Sequence, residues 1–172
     1  MLRQWRDDDV PHWVAMSADP RVMRFFPSTY AADYSEQMAI RMRDRLERDG
    51  YGWWVIEIKG ITPFAGAIIL QDVPFEAPFT PAIEIGWRLA YQYWGHGYAT
   101  EGATRVMHFA FEVLRFNEVV AMTAITNVRS QRVMERLRMT HNAQDDFLHP
   151  RLPEEHALRP HVLYRRVQDK ND

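Results

Sequence analysis

Between residues 87 and 101 the chain reads Trp-Arg-Leu-Ala-Tyr-Gln-Tyr-Trp-Gly-His-Gly-Tyr-Ala-Thr-Glu, a strand end passing through two glycines into a helix start. Gly95 and Gly97 let the main chain turn with its N–H groups pointing inward, and the unpaired amides of a helix start add roughly half a positive charge. That combination suits a pyrophosphate. A bare Gly-x-Gly is also what any tight turn before a helix needs for steric reasons, so the surroundings must decide. No Gly-Lys-Ser or Gly-Lys-Thr follows, which counts against a nucleotide-triphosphate loop, and Thr100 stands where a dinucleotide fingerprint needs its third glycine or alanine. Upstream, Glu84 is a titratable carboxylate on the polar face of the strand that feeds the loop. It serves either as a proton acceptor or as a salt-bridge partner; Arg88, four residues along a strand, is about 13 Å away and too far for direct pairing.

The elements that must position these groups are legible from pattern. Residues 82–89 alternate, with Ile83, Ile85, Trp87 and Leu89 on one face and Glu84, Gly86 and Arg88 on the other. Behind the loop, Ala99, Ala103, Val106, Met107, Ala110 and Leu114 keep helical spacing. A strand over 118–124 then leads to Asn127 and a short helix with Val133, Met134 and Leu137. Strand, helix, strand in that order implies a parallel pair with a crossover. Ahead of this region the spacing predicts a helix over 7–19 ended by Asp19-Pro20, a second over about 33–50 stopped by Gly50, and an antiparallel hairpin of 53–58 with 64–70. Phe25 and Phe26 serve a core or line a substrate pocket, and the proline-rich stretch 74–81 reads as a loop. Residues 140–167 read as two further strands joined by a polar loop.

Gln92-x-x-Gly95-x-Gly97 followed by Tyr98-Ala99-Thr100-Glu101 resembles the coenzyme A loop of the GCN5-related N-acetyltransferase (GNAT) superfamily. Ile85-Gly86-Trp87, Asn127-x-x-Ser130, residues 133–137, Phe147-x-His149-Pro150-Arg151 and 159–164 resemble its RimJ/RimL-type branch, which acetylates protein amino termini and assorted small amines. Two departures stand out. Only Leu2-Arg3-Gln4-Trp5 precedes the first helix where the branch has a fuller first strand, and Arg138 occupies the place of a glycine after the last helix, where a left-handed residue other than glycine costs about 1 kcal/mol.

The resemblance implies an α/β (α+β) fold: one domain over residues 1–172 with a mixed, mostly antiparallel, twisted sheet, a parallel pair of its fourth and fifth strands splayed at the cofactor site, and about four flanking helices. It also implies acetyl-CoA as cosubstrate, held by Trp87, Leu89, Gln92, Trp94, Gly95, His96, Gly97, Tyr98, Ala99, Thr100, Asn127 and Ser130, and direct attack by a primary amine in a ternary complex. The backbone near Trp87 and Leu89 would pair with pantetheine and polarise the thioester carbonyl. An acceptor amine with a pKa of about 10.4 is mostly ammonium at neutral pH, so a base or water relay is required. Glu84 is the leading base. Ser130, Tyr164 or water protonates the departing thiolate, and Asn127 bonds the pantetheine arm, caps the last helix, or does both. A noncatalytic acyl-CoA sensor with the same fold is the rival reading, and a generic nucleotide-binding domain a weaker one.

Composition bounds the rest. A hydrophobic fraction of 47% with 26% charged residues fits an ordinary globular chain, a net charge of −2 gives no positive field for nucleic acid, and the absence of cysteine removes thiol catalysis and disulfides. His141, His149, His156 and His161 have no zinc-site spacing, so no metal is expected. Neither a signal peptide nor a membrane span is legible, which points to a cytoplasmic chain without membrane partners. Its partners would be an amine-bearing small molecule or a protein N-terminus, and a homodimer is compatible with the reading.

Overall fold

Acidic residues ahead of an apolar stripe start the first helix, and α1 runs Asp9–Ala18 in a computed structural model that describes residues 1–168. The last four positions of the expected domain lie outside the described residues. Gly50 ends α2 (Ala32–Asp49) as expected: it takes φ 74° and donates its N–H to the Leu46 carbonyl at 3.1 Å. β2 (Trp53–Ile58) and β3 (Thr62–Asp72) form the antiparallel hairpin, with Val55 opposite Ala67. β4 (Ile83–Leu89), α3 (Tyr98–Glu112) and β5 (Glu118–Ala124) follow, and β4 pairs β5 in parallel with Glu84 opposite Val120. The helix between two parallel strands is the crossover that such a pair requires.

β1 (Leu2–Arg3), α4 (Val128–Arg136), β6 (Thr140–His141), β7 (Phe147–Leu148) and β8 (Pro160–Val167) complete four α-helices and eight strands among the described residues. The sheet is mixed and mostly antiparallel, in the order β1-β2-β3-β4-β5-β8-β6, with β7 also on β8. Two compact units divide the chain: Met1–Ile69 with Trp87–Gly102, and Leu70–Gly86 with the chain that follows Gly102.

In the first unit a tryptophan cluster makes the core. Trp13, with no exposed surface, meets Trp5 and Trp53 edge-on at 5.7 and 5.6 Å, and the Trp5 indole donates to the Trp53 carbonyl at 2.7 Å. The first strand is as short as the sequence suggested. Arg3 anchors it through two bonds of 2.7 Å to the buried Asp9 and one of 2.6 Å to Glu57.

In the second unit β5 and β8 pair along their whole length, from Glu118 opposite Val167 to Ala124 opposite His161. The expectation of two strands after residue 140 is corrected to three. A 3₁₀ turn at Ala143–Asp145, fixed by Asn142 accepting from the Gln144 N–H at 3.1 Å, splits the first stretch into β6 and β7, which pair with different ends of β8. Arg138 keeps the left-handed turn with φ 58°, so the missing glycine is tolerated as strain.

Candidate active site

The glycine loop belongs to the first unit and is built on a close approach. Gly66 takes φ 144°, and a Cβ placed there would stand 2.6 Å from the Leu89 Cα, so only glycine lets β3 lie this near the end of β4. Ala90 N–H then donates to the Ala65 carbonyl at 2.9 Å. The chain turns through Tyr91–Tyr93, and the Trp94 indole donates back to the Leu89 carbonyl at 2.8 Å. Trp94 is therefore a brace of the loop. Gln92 lines a cavity of about 200 Å³ together with His12, Asp19, Phe64 and Ala90.

Gly95 and Gly97 take φ 81° and 84°, with open space where a Cβ would be. The Gly97 carbonyl accepts from Glu101 N–H at 3.0 Å, which makes Gly97 the N-cap of α3. Serine, threonine, aspartate or asparagine at that position would return a side-chain oxygen to the first amides of the helix, and glycine returns none. The amides of Tyr98, Ala99 and Thr100 precede the first intrahelical bond and carry the positive end of the helix dipole. His96 and Tyr98 flank them with rings 5.7 Å apart. Trp87, Leu89 and the whole run from Gln92 to Thr100 thus share one unit.

Glu84, Asn127 and Ser130 belong to the second unit. Gln71 Nε2 donates to Glu84 Oε1 at 2.5 Å, a contact that pairs the carboxylate with a neutral amide. Sequence reasoning missed Gln71; its signal would have been a polar residue at the end of an otherwise apolar strand. Asn127 caps α4, accepting from Ser130 N–H at 3.4 Å while its own amide donates to Thr123 Oγ1 at 2.8 Å. Tyr164 lies opposite Ala121 and stacks on His141 at 5.0 Å, and burial pushes its phenol above the ordinary value, so it holds its proton.

Arg88 departs from its expected place on a polar face. It is 5% exposed, and its guanidinium carbon sits 4.1 Å from the Phe26 ring centre, 4.9 Å from Trp13 and 5.4 Å from Tyr30. Period 2 identified the face correctly; tertiary packing from α1 and the 26–30 connection covered it. Each cation–π contact contributes about 0.5–2 kcal/mol, against a desolvation cost of several kcal/mol for a buried ion. Burial pushes the group below its ordinary pKa, partly offset by the hydrogen-bonded Tyr30 hydroxyl, and an arginine stays charged regardless.

Residues 1–140 match the family model described as Acetyltransferase (GNAT) domain. The chain belongs to the GNAT acetyltransferase family. FsC-acetyl coenzyme A-N(2)-transacetylase of Aspergillus fumigatus is 33% identical over 135 residues, covering 73% of this chain and 56% of the relative, so the chain spans little more than half of that protein's length. Among solved structures, an acetyltransferase from Agrobacterium tumefaciens shares 24% identity at a TM-score of 0.74, covering 97% of this chain and 90% of that one. RimL, a ribosomal alpha-N-protein acetyltransferase in complex with coenzyme A, shares 17% at a TM-score of 0.74, with 96% and 92% covered. Both likenesses concern the fold, and they place RimJ/RimL-type proteins among its structural relatives.

Proposed function

We propose that residues 1–172 work as one N-acetyltransferase domain that takes acetyl-CoA as cosubstrate and acetylates a primary amine, on a small molecule or a protein N-terminus, by direct attack in a ternary complex. The observation that carries this reading is the glycine N-cap: Gly97 starts α3 without a side chain that could cap the helix, so the N-terminus of α3 presents backbone donors to a diphosphate. The coenzyme A named with RimL, and the acetyl coenzyme A in the name of the fungal relative, support the same cosubstrate.

Acetyl-CoA supplies an acetyl group activated as a thioester. Residues 95–100 would bind its diphosphate, and the backbone near Trp87 and Leu89 its pantetheine arm. Glu84 takes a proton from the acceptor ammonium, directly or through water, so that the nitrogen lone pair can form the new C–N bond. Gln71 holds one oxygen of that carboxylate through a bond donated by its amide. As the C–S bond breaks, the thiolate is protonated by Ser130, Tyr164 or water. A thiol pKa near 8.5 makes that the less demanding proton transfer. Asn127 fixes the start of α4 beside Ser130.

Incubating the protein with acetyl-CoA and a panel of peptide amino termini, polyamines and amino sugars, with release of free thiol as readout, tests the reading. Thiol release dependent on an amine is the expected result. Acetyl-CoA binding without turnover on any amine would mark a sensor instead. A thermal shift with NAD or ATP larger than with coenzyme A would overturn the loop assignment.

A further inference from the structure

Glu84 stands where the sheet of the second unit is least tied together. β5 and β8 pair from Glu118 to Ala124, whereas β4 meets β5 in parallel at one rung, Glu84 opposite Val120. A strand held to its neighbour by one rung can pivot there, and its side chains move with it. A second tie crosses this junction. The connection 73–82 is closed by Val73 N–H donating to the Ala82 carbonyl at 2.9 Å, and the Thr80 hydroxyl donates to the Ala77 carbonyl at 2.9 Å. It carries Phe75 and Phe79, both half-buried. The Phe79 ring centre lies 4.9 Å from that of Phe147, and the Phe75 ring lies 4.6 Å from His149 with the Arg151 guanidinium 5.8 Å away. His149 is itself fixed, because its Nδ1 accepts from the Arg151 N–H at 3.3 Å.

Register shows which face the rings cover. Phe147 is opposite His161, His161 is opposite Ala124, and Ala124 lies four residues beyond Val120, which is opposite Glu84. Paired residues, and residues at even spacing along a strand, share one face of a sheet. The connection therefore folds over the face that carries Glu84, and its rings land on β7, beyond β5 and β8.

We propose that Phe75 and Phe79 are positioning residues for Glu84: latched on Phe147 and His149, they hold the start of β4 against β5 and keep the carboxylate at its rung. This rests on the reading of Glu84 as the base. Ring pairs hold through contact area and edge geometry, so alanine releases the latch and tyrosine, with the same ring, keeps it. Misplacing a catalytic group by about 1 Å costs about 100-fold in rate, so the loss of such a tie is visible in kcat.

A double-mutant cycle tests this, with amine-dependent thiol release from acetyl-CoA as readout. Phe75→Ala/Phe79→Ala lowers kcat about 10- to 100-fold and leaves acetyl-CoA affinity within about twofold. In the Glu84→Gln background the same pair of changes costs less than about twofold, because the carboxylate they position has gone. Phe75→Tyr/Phe79→Tyr restores kcat to within about threefold of the parent. An unchanged kcat in the alanine variant, an undiminished loss in the Glu84→Gln background, or tyrosine variants as slow as alanine ones overturns the proposal. Glu84→Gln at the parent's rate removes the base reading, and the proposal with it. Should the alanine pair fail to fold, Phe79→Leu, apolar but without a ring, takes its place in the cycle.

Hydrogen exchange reads the tie without turnover. In the alanine variant the amides of residues 83–86 exchange about 10- to 100-fold faster, and those of 119–123 keep the parent's rates. If the parent acetylates no amine and this change is present, the acetyl-transfer reading fails and the latch on Glu84 stands. Equal rates at 83–86 in the two proteins overturn the proposal.

Discussion

Replacing Glu84 with glutamine removes a charge and leaves the local packing almost intact. Gln71 Nε2 donates to Glu84 Oε1 at 2.5 Å, and an amide oxygen at the same place still accepts that bond, so this contact survives the change. The chemistry moves by much more. At pH 7.4 an acceptor of pKa about 10.4 is free amine in roughly one molecule per thousand, and a positioned general base contributes about 100- to 10,000-fold. We expect kcat to fall by at least about 100-fold while the affinity for acetyl-CoA stays within about twofold. The variant depends on amine already deprotonated in solution, so its kcat/KM should climb about tenfold per pH unit from 7 to 9, more steeply than the parent's. Initial rates of thiol release across that range, with acetyl-CoA affinity measured separately by calorimetry, provide the assay. A kcat within threefold of the parent and a parallel pH profile would leave Glu84 as a structural partner of Gln71 and nothing more.

Gly97→Ala should strain the loop without a clash, since nothing lies within 4 Å of the added Cβ; the fold loses about 1–2 kcal/mol and acetyl-CoA affinity drops, read by urea melts and calorimetry. Asn127→Ala removes the α4 cap and the bond to Thr123, and should lower the unfolding free energy by about 1–2 kcal/mol in the same melts. His149 is pushed down to about 4, first by burial and then by His161, from an ordinary 6.5. A depressed histidine stays neutral in the folded chain while the unfolded chain takes up a proton, so its stability contribution is present above about pH 6.5 and is lost as pH falls towards 4. His149→Phe keeps a ring beside Phe75, now 4.6 Å away, and should flatten that acid limb in urea midpoints measured at pH 7 and 5. His161 is shifted in the same direction, so a shallower slope remains.

Features encoded locally were readable from the sequence. Gly50, the alternation over residues 82–89 and the run 118–124 each contain their own signal, and all three became the elements they announced. The loop was readable for the same reason, because a helix N-cap and two positive-φ glycines are properties of a few consecutive residues. Contacts closed by tertiary structure were not. Gln71 is 13 residues from Glu84, and the pairing needed the β3–β4 turn to bring them together. The walls around Arg88 arrive from Trp13, Phe26 and Tyr30, between 58 and 75 positions upstream, as the differences 88 − 30 and 88 − 13 show. No period in a single strand can report which helix will cover it.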